Sequence, residues 1–164
     1  MAMVSNRAKL IGGLSAAVIA IATPFVASFE GEKLDPYLDV GGVLTVCFGE
    51  THNVENRKHT PNECRAMLAD SLAKHGRDIG ACMPVGLPDN VQAAMLSFGY
   101  NAGAANFCGS TMARKLMNGD IPGACAELDR WVFVAGKDCR LAGSNCRGIV
   151  ERRKVERAIC EGRS

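Results

Sequence analysis

The sequence predicts a single α+β domain, mostly helical, with a small β-hairpin near its N-terminal end and a helical C-terminal lobe. Three observations carry that reading. At 164 residues the chain is long enough for one sizeable core and short for two. Apolar residues recur at helical spacing through most of the chain beyond residue 60. Strand-like runs flank the turn-forming pair Gly41-Gly42, ahead of those helices. The composition agrees, with 48% apolar and 22% charged residues. No repeat or interdomain linker interrupts the chain.

The first element is an uncharged run of twenty residues, Leu10 to Phe29, preceded by Arg7 and Lys9. As a helix it would span about 30 Å, the thickness of a hydrocarbon core. Cations in front of it place the N-terminus on the cytoplasmic side and the rest of the chain outside. The run holds five alanines, two glycines, two serines, Thr23 and Pro24, so its membrane insertion is weak. Ala20-Ile21-Ala22 and Val26-Ala27-Ser28 are passable signal-peptidase sites. The segment alone therefore leaves two readings open, a cleaved signal peptide and an anchor that can leave the bilayer.

Tyr37–Asp39 and Val43–Cys47 form the expected hairpin, and Asn53–His59 reads as a polar loop. Thr60-Pro61-Asn62-Glu63 is a helix start: Thr60 can cap, Pro61 suits the first helical position, and Glu63 can reach back. The helix then carries Cys64, Met67, Leu68, Leu72 and Ile79 at helical spacing. Asp89-Asn90-Val91-Gln92 offers a second capping box, for a helix running to about Asn101 and broken at Gly103. Shorter helices fit Ser110–Met117 and Ile121–Val132, the latter capped by Asp120. Ala135–Asn145 reads as a loop, and a last helix covers about Gly148–Cys160.

Eight cysteines, none before Cys47, are many for a reducing compartment. No pair has the two-to-four-residue interval of a zinc site, so disulfides formed after export are the better reading. Spacing does not select the partners. The working pairing is Cys47–Cys64, Cys82–Cys108, Cys125–Cys160 and Cys139–Cys146. No metal or other cofactor is expected. A net charge of +2 is too small to argue for nucleic acid. From Lys137 onward eight Lys/Arg face four Asp/Glu, a basic tail that suits either solvent or an anionic polymer such as a cell wall.

Glu30 and Asp39 lie nine residues apart, and Thr45 follows six residues later. Glycoside hydrolysis needs such a carboxyl pair, one protonated to donate to the leaving oxygen and one ionised to handle water or the developing cation. Burial of Glu30 against Phe29 or Leu34 would raise its pKa, as a general acid requires. Glu32, Asp35 and Glu50 lack the register to both partners and read as ordinary surface carboxylates. His52, His59 and His75 show no ligand-like arrangement, and Trp131 reads as a core anchor. The bare spacing of Glu30, Asp39 and Thr45 is common, and its context is what makes it specific.

That context is Glu30-Gly31, Tyr37-Leu38-Asp39, Gly42, and Thr45-Val46-Cys47-Phe48-Gly49, which together resemble the catalytic region of the T-even-type phage lysozymes, glycoside hydrolase family 24. Ser97–Gly103 and Phe107–Thr111 resemble that family's central helix and following turn. Leu128-Asp129-Arg130-Trp131 and Arg152-Arg153 with Glu156-Arg157 fit its C-terminal part. The resemblance runs in order from Glu30 to Cys160. One departure is Glu50, where the family commonly has histidine, which puts a local ion pair in doubt.

The resemblance implies a lysozyme-like fold and an endolysin that cuts the β-1,4 bond between N-acetylmuramic acid and N-acetylglucosamine in peptidoglycan, with inversion expected. Glu30 would be the general acid, Asp39 would activate water or stabilise the transition state, and Thr45 would help hold the water. Asn101, Ser110 and Thr111 are weaker candidates for substrate contact. In such enzymes the glutamate sits on an N-terminal helix, whereas cutting after Ser28 would leave Glu30 second in a frayed terminus. The layout therefore resembles the signal-anchor-release endolysins, with 1–29 as releasable anchor and 30–164 as catalytic domain. The expected course is export by host secretion machinery, tethering in the inner membrane with the domain periplasmic, and release as a soluble monomer. A secreted lysozyme with a cleaved signal and a non-catalytic wall-binding protein are the alternatives.

Overall fold

In the computed structural model, which describes residues 12–163, α1 spans Ala16–Phe29. Arg7, Lys9 and Leu10, on which the topology argument leans, lie outside the described residues. Ser15 caps α1 by accepting from the Val18 N–H, so the apolar run is divided and its helix has 14 residues. No helix among the described residues is long and apolar enough to cross a membrane. Val18, Ala22 and Val26, one face of α1, are buried. They pack in one core with residues of α2 and α3, so this segment is part of the folded domain.

The hairpin pairs β1 (Lys33–Leu38) with β2 (Leu44–Cys47), Tyr37 opposite Thr45 and Leu38 opposite Leu44. β1 begins earlier than the alternation of its side chains suggests, because a bulge lies between Lys33 and Tyr37. α2 (Pro61–Gly80) has the expected capping box at Thr60 and Glu63, and buries Cys64, Leu68, Leu72 and Ile79. Gly76 leaves room for Leu14: a Cβ there would sit 3.2 Å from the Leu14 Cγ.

α3 (Asp89–Ala102) is the central helix, buried at Val91 and at every position from Ala93 to Gly99. Its start differs from expectation. Pro88 is the cap residue and no side chain caps it; Gln92 instead donates through Nε2 to the Leu87 carbonyl. Gly103, at φ 95°, ends the helix in a conformation that only glycine adopts freely. A short helix absent from the sequence reading, α4 (Ala104–Cys108), precedes α5 (Thr111–Met117). α6 covers Ile121–Glu127 with Asp120 accepting from the Gly123 N–H, and its expected extension is a 3₁₀ turn, Leu128–Arg130.

The segment read as a loop contains a second hairpin, β3 (Phe133–Val134) with β4 (Lys137–Asp138). Two-residue strands are too short to leave an alternating pattern. α7 (Arg147–Cys160) closes the domain against α3. The disulfides are Cys47–Cys64, Cys82–Cys108, Cys125–Cys160 and Cys139–Cys146. The first ties β2 to α2, the second α2's end to α4, and the third α6 to α7.

Candidate active site

Glu30 is the residue at which α1 ends: its N–H still donates to the Val26 carbonyl, while its own backbone is extended. The helix end aims its side chain at α7, where Arg152 Nη1 donates to Glu30 Oε1 at 2.8 Å. The Glu30 side chain is 27% exposed and that of Arg152 only 4%. A buried cation is therefore the first partner of Glu30, rather than the apolar neighbours expected. The Phe29 ring contributes to the Arg152 side, with the guanidinium carbon 5.4 Å from its centroid.

Arg152 belongs to a buried network. Its Nε donates to Glu156 Oε1 at 3.1 Å, and its Nη2 to the carbonyl and hydroxyl of Ser97. Ser97 in turn donates to Glu156 Oε1 at 2.6 Å. Arg153 Nη1 donates to the other oxygen of Glu156 at 2.6 Å, its Nε to the Trp131 carbonyl, and its Nη2 to Asn101 Oδ1 at 2.6 Å. Glu156 is fully buried and doubly paired, the condition under which a buried charge is tolerated. One helix face thus fixes α7, α3 and the end of α1 together. The signal in the sequence is Arg152-Arg153 with Glu156 three and four residues on, one face of one helix.

Asp39 sits in the turn between β1 and β2. Its Oδ1 accepts from the N–H groups of Gly41 at 2.8 Å and Val43 at 2.9 Å, while its backbone N–H donates to the Val43 carbonyl. That leaves Oδ2 free of protein partners among the described residues, on an exposed turn. Thr45 is buried on β2, its hydroxyl donating to the Val43 carbonyl at 2.9 Å. Asp39 and Thr45 are thus locked to one backbone carbonyl, Val43, from two sides.

Glu50 is buried and carried by the turn after β2, where Val46 and Glu50 exchange backbone hydrogen bonds. Ser71 on α2 donates to its Oε2; Oε1 is buried without a protein partner. Burial raises the Glu50 pKa, and the Ser71 bond only partly offsets this. Tyr100 is pushed up to about 12, first by burial and then by the charges of Glu50 and Glu30, so it lies within electrostatic reach of both. The His75 ring meets Tyr100 edge-on at 4.9 Å. His59 is buried with Nδ1 2.9 Å from the Arg57 carbonyl.

The weaker candidates are held in local structure. Asn101 accepts from Arg153. The Ser110 hydroxyl donates to the Phe107 carbonyl and accepts from the Ala113 N–H as the cap of α5. Thr111 Oγ1 accepts from Arg114. Trp131 packs edge-on against Phe98 at 5.0 Å. The residues that sequence reasoning left without a role are Arg152, Arg153, Glu156 and Ser97, which position Glu30.

Glu30 thus stands at the end of a core helix and Asp39 on a hairpin turn, with a mainly helical body behind them. The phage lysozyme family model matches residues 27–156, and the chain belongs to that family. The SAR-endolysin of Bacteriophage PS119 is 38% identical over 162 residues, covering 94% of this chain and 93% of the relative. The SAR-endolysin of Enterobacteria phage P21 is 36% identical over 164 residues, covering 95% of each. Among solved structures, a mutant of P22 lysozyme superposes with a TM-score of 0.72 at 27% identity, covering 91% of this chain and 98% of that one. The active form of the P1 phage endolysin Lyz gives 0.68 at 24% identity, covering 92% and 96%.

Proposed function

We propose that this peptidoglycan-hydrolysing endolysin is a muramidase whose catalytic acid is assembled only when its N-terminal apolar segment folds into the domain. The supporting observation is that Glu30 ends α1, the helix built from that segment, and is gripped by Arg152 of α7. A segment lying in a bilayer cannot also bury Val18, Ala22 and Val26 in the core, so tethering would keep Glu30 away from Arg152. Release into the periplasm would let α1 dock and complete the site.

In this reading Glu30 protonates the glycosidic oxygen between N-acetylmuramic acid and N-acetylglucosamine, and Asp39, through its free Oδ2, acts on water or the oxocarbenium-like transition state. Thr45 helps hold that water. Asn101, Ser110 and Thr111 are the weaker candidates for contact with the substrate. The substrate is the glycan strand, the membrane is engaged through residues 10–29, and the released form is a monomer. Intact mass of the periplasmic protein separates retained anchor from cleaved signal.

The deciding experiment measures muramidase activity of the released full-length protein and of Glu30→Gln on purified peptidoglycan. Activity in the first and near-complete loss in the second is expected. Equal activity would move the acid elsewhere, and inactivity of both would favour a wall-binding protein.

A further inference from the structure

The hairpin β3–β4 takes no part in the site described above. Its strands are joined by Ala135-Gly136, both with positive φ, 48° and 78°, the tight two-residue connection that suits hairpin twist. Its base is pinned by the Cys139–Cys146 disulfide and by the Cys139 N–H donating to the Val132 carbonyl. Val132, Cys139 and Val150 form a small apolar cluster beneath it, separate from the main core. This is a stiff projection.

What it projects is apolar. Phe133 is 56% exposed, Val134 44% and the neighbouring Leu141 63%. Cross-strand pairing puts Phe133 with Asp138 and Val134 with Lys137, so the two apolar side chains occupy both faces of the tip. Around them stand Arg130, Lys137, Arg140 and Arg147, all exposed, and from residue 130 to 148 the single carboxylate is Asp138. Arg140 holds Asp138 and lies over the Phe133 ring, and Arg130 leans towards Glu127. Lys137 and Arg147 have no carboxylate partner among the described residues.

We propose that this hairpin docks on the surface of a bilayer containing anionic phospholipid, its tip entering the headgroup boundary. Lys137 and Arg147 complement the negative headgroups, and Phe133, Val134 and Leu141 gain by leaving water. A hydrated polysaccharide would satisfy the cations yet leave those apolar side chains exposed. The domain would then keep a membrane contact after α1 has left the bilayer, on an element that the Cys139–Cys146 bridge stabilises only in an oxidising compartment. The proposal does not depend on the catalytic assignment.

The test uses the full-length, disulfide-bonded protein and sedimentable vesicles of phosphatidylcholine, with and without phosphatidylglycerol. Residues 10–29 can enter either bilayer, so the readout is the ratio of partitioning between the two, followed also by the emission of Trp131, the sole tryptophan. The native protein should favour anionic vesicles by roughly tenfold or more, with the preference falling as salt rises. A Phe133→Ser, Val134→Ser, Leu141→Ser variant should lose most of its binding to anionic vesicles beyond that of the neutral control. Lys137→Glu, at an exposed position, should reduce the ratio without touching the apolar tip. Unchanged ratios in both variants would overturn the proposal, as would equal binding of the native protein to both vesicles. Phe133 also lines a hollow with Thr111 and Trp131. Loss of activity on soluble glycan fragments with vesicle binding intact would therefore assign the hairpin to substrate instead.

Discussion

Arg152 Nη1 donates to Glu30 Oε1 across 2.8 Å, joining residues 122 positions apart and linking the last helix to the end of the first. Because Arg152 is buried while Glu30 is partly exposed, the cation is fixed and the carboxylate is positioned by it.

Replacing Arg152 by methionine should destabilise the protein by about 3–5 kcal/mol, since it strips one partner from Glu156 and leaves that buried charge under-paired. Arg152→Lys keeps the charge but cannot bridge Glu30, Glu156 and Ser97 at once. It should therefore retain more stability than activity. Thermal unfolding and turbidity assays on both variants check this; equal loss of both properties in the lysine variant would refute a positioning role.

Glu50 gives a pH signature. Its folded-state pKa is raised above 4.5, chiefly by burial. Whatever stability its neutral form contributes is fully present below that unfolded value and is lost as pH rises through the folded one. Glu50→Gln does not ionise, so its melting temperature should gain on that of the native protein as pH rises from below 4.5 through the raised folded-state value. A difference that is flat or runs the other way would contradict the assignment.

Gly99 and Ile79 meet where α3 crosses α2. A Cβ on residue 99 would stand 2.5 Å from Ile79 Cδ1 and 2.7 Å from its Cγ1. Both residues are buried, so Gly99→Ala should cost about 1–3 kcal/mol by overpacking. Ile79→Val removes Cδ1 and should recover part of that loss in the double variant. Denaturant titration of the single and double variants measures the coupling.

Ala16, Ala17 and Ala20 are exposed on α1, opposite its buried face. Changing all three to leucine should strengthen membrane insertion while leaving the docked helix packed as before. The expected outcome is membrane retention and late lysis in cells, with near-normal activity once the protein is extracted in detergent. Lysis on time would remove membrane tethering as the control step.

Much of this was legible in the chain. The capping box at Thr60 and Glu63, the break at Gly103 and the apolar spacing of α2 and α3 are local signals, and local hydrogen bonding produced the elements they imply. The spacing of Glu30, Asp39 and Thr45 was equally readable, as was the family resemblance around it. The Asp89 capping box was not realised, because Gln92 reaches a carbonyl before the helix instead of returning to the cap. The β3–β4 hairpin and α4 were missed since two- and five-residue elements leave no period to read.

By itself the sequence determined a mostly helical α+β domain with a disulfide-type cysteine pattern, and it set the spacing of Glu30, Asp39 and Thr45. Those properties depend on neighbours a few residues away. Only the tertiary structure decided that the apolar N-terminal run buries Val18, Ala22 and Val26 in the core, and that Arg152 holds Glu30. It likewise decided that Glu50 is buried against Ser71 and that Phe133 stands out on a pinned hairpin. Each of these is a contact between residues distant along the chain, and which of them form depends on how the helices pack against one another.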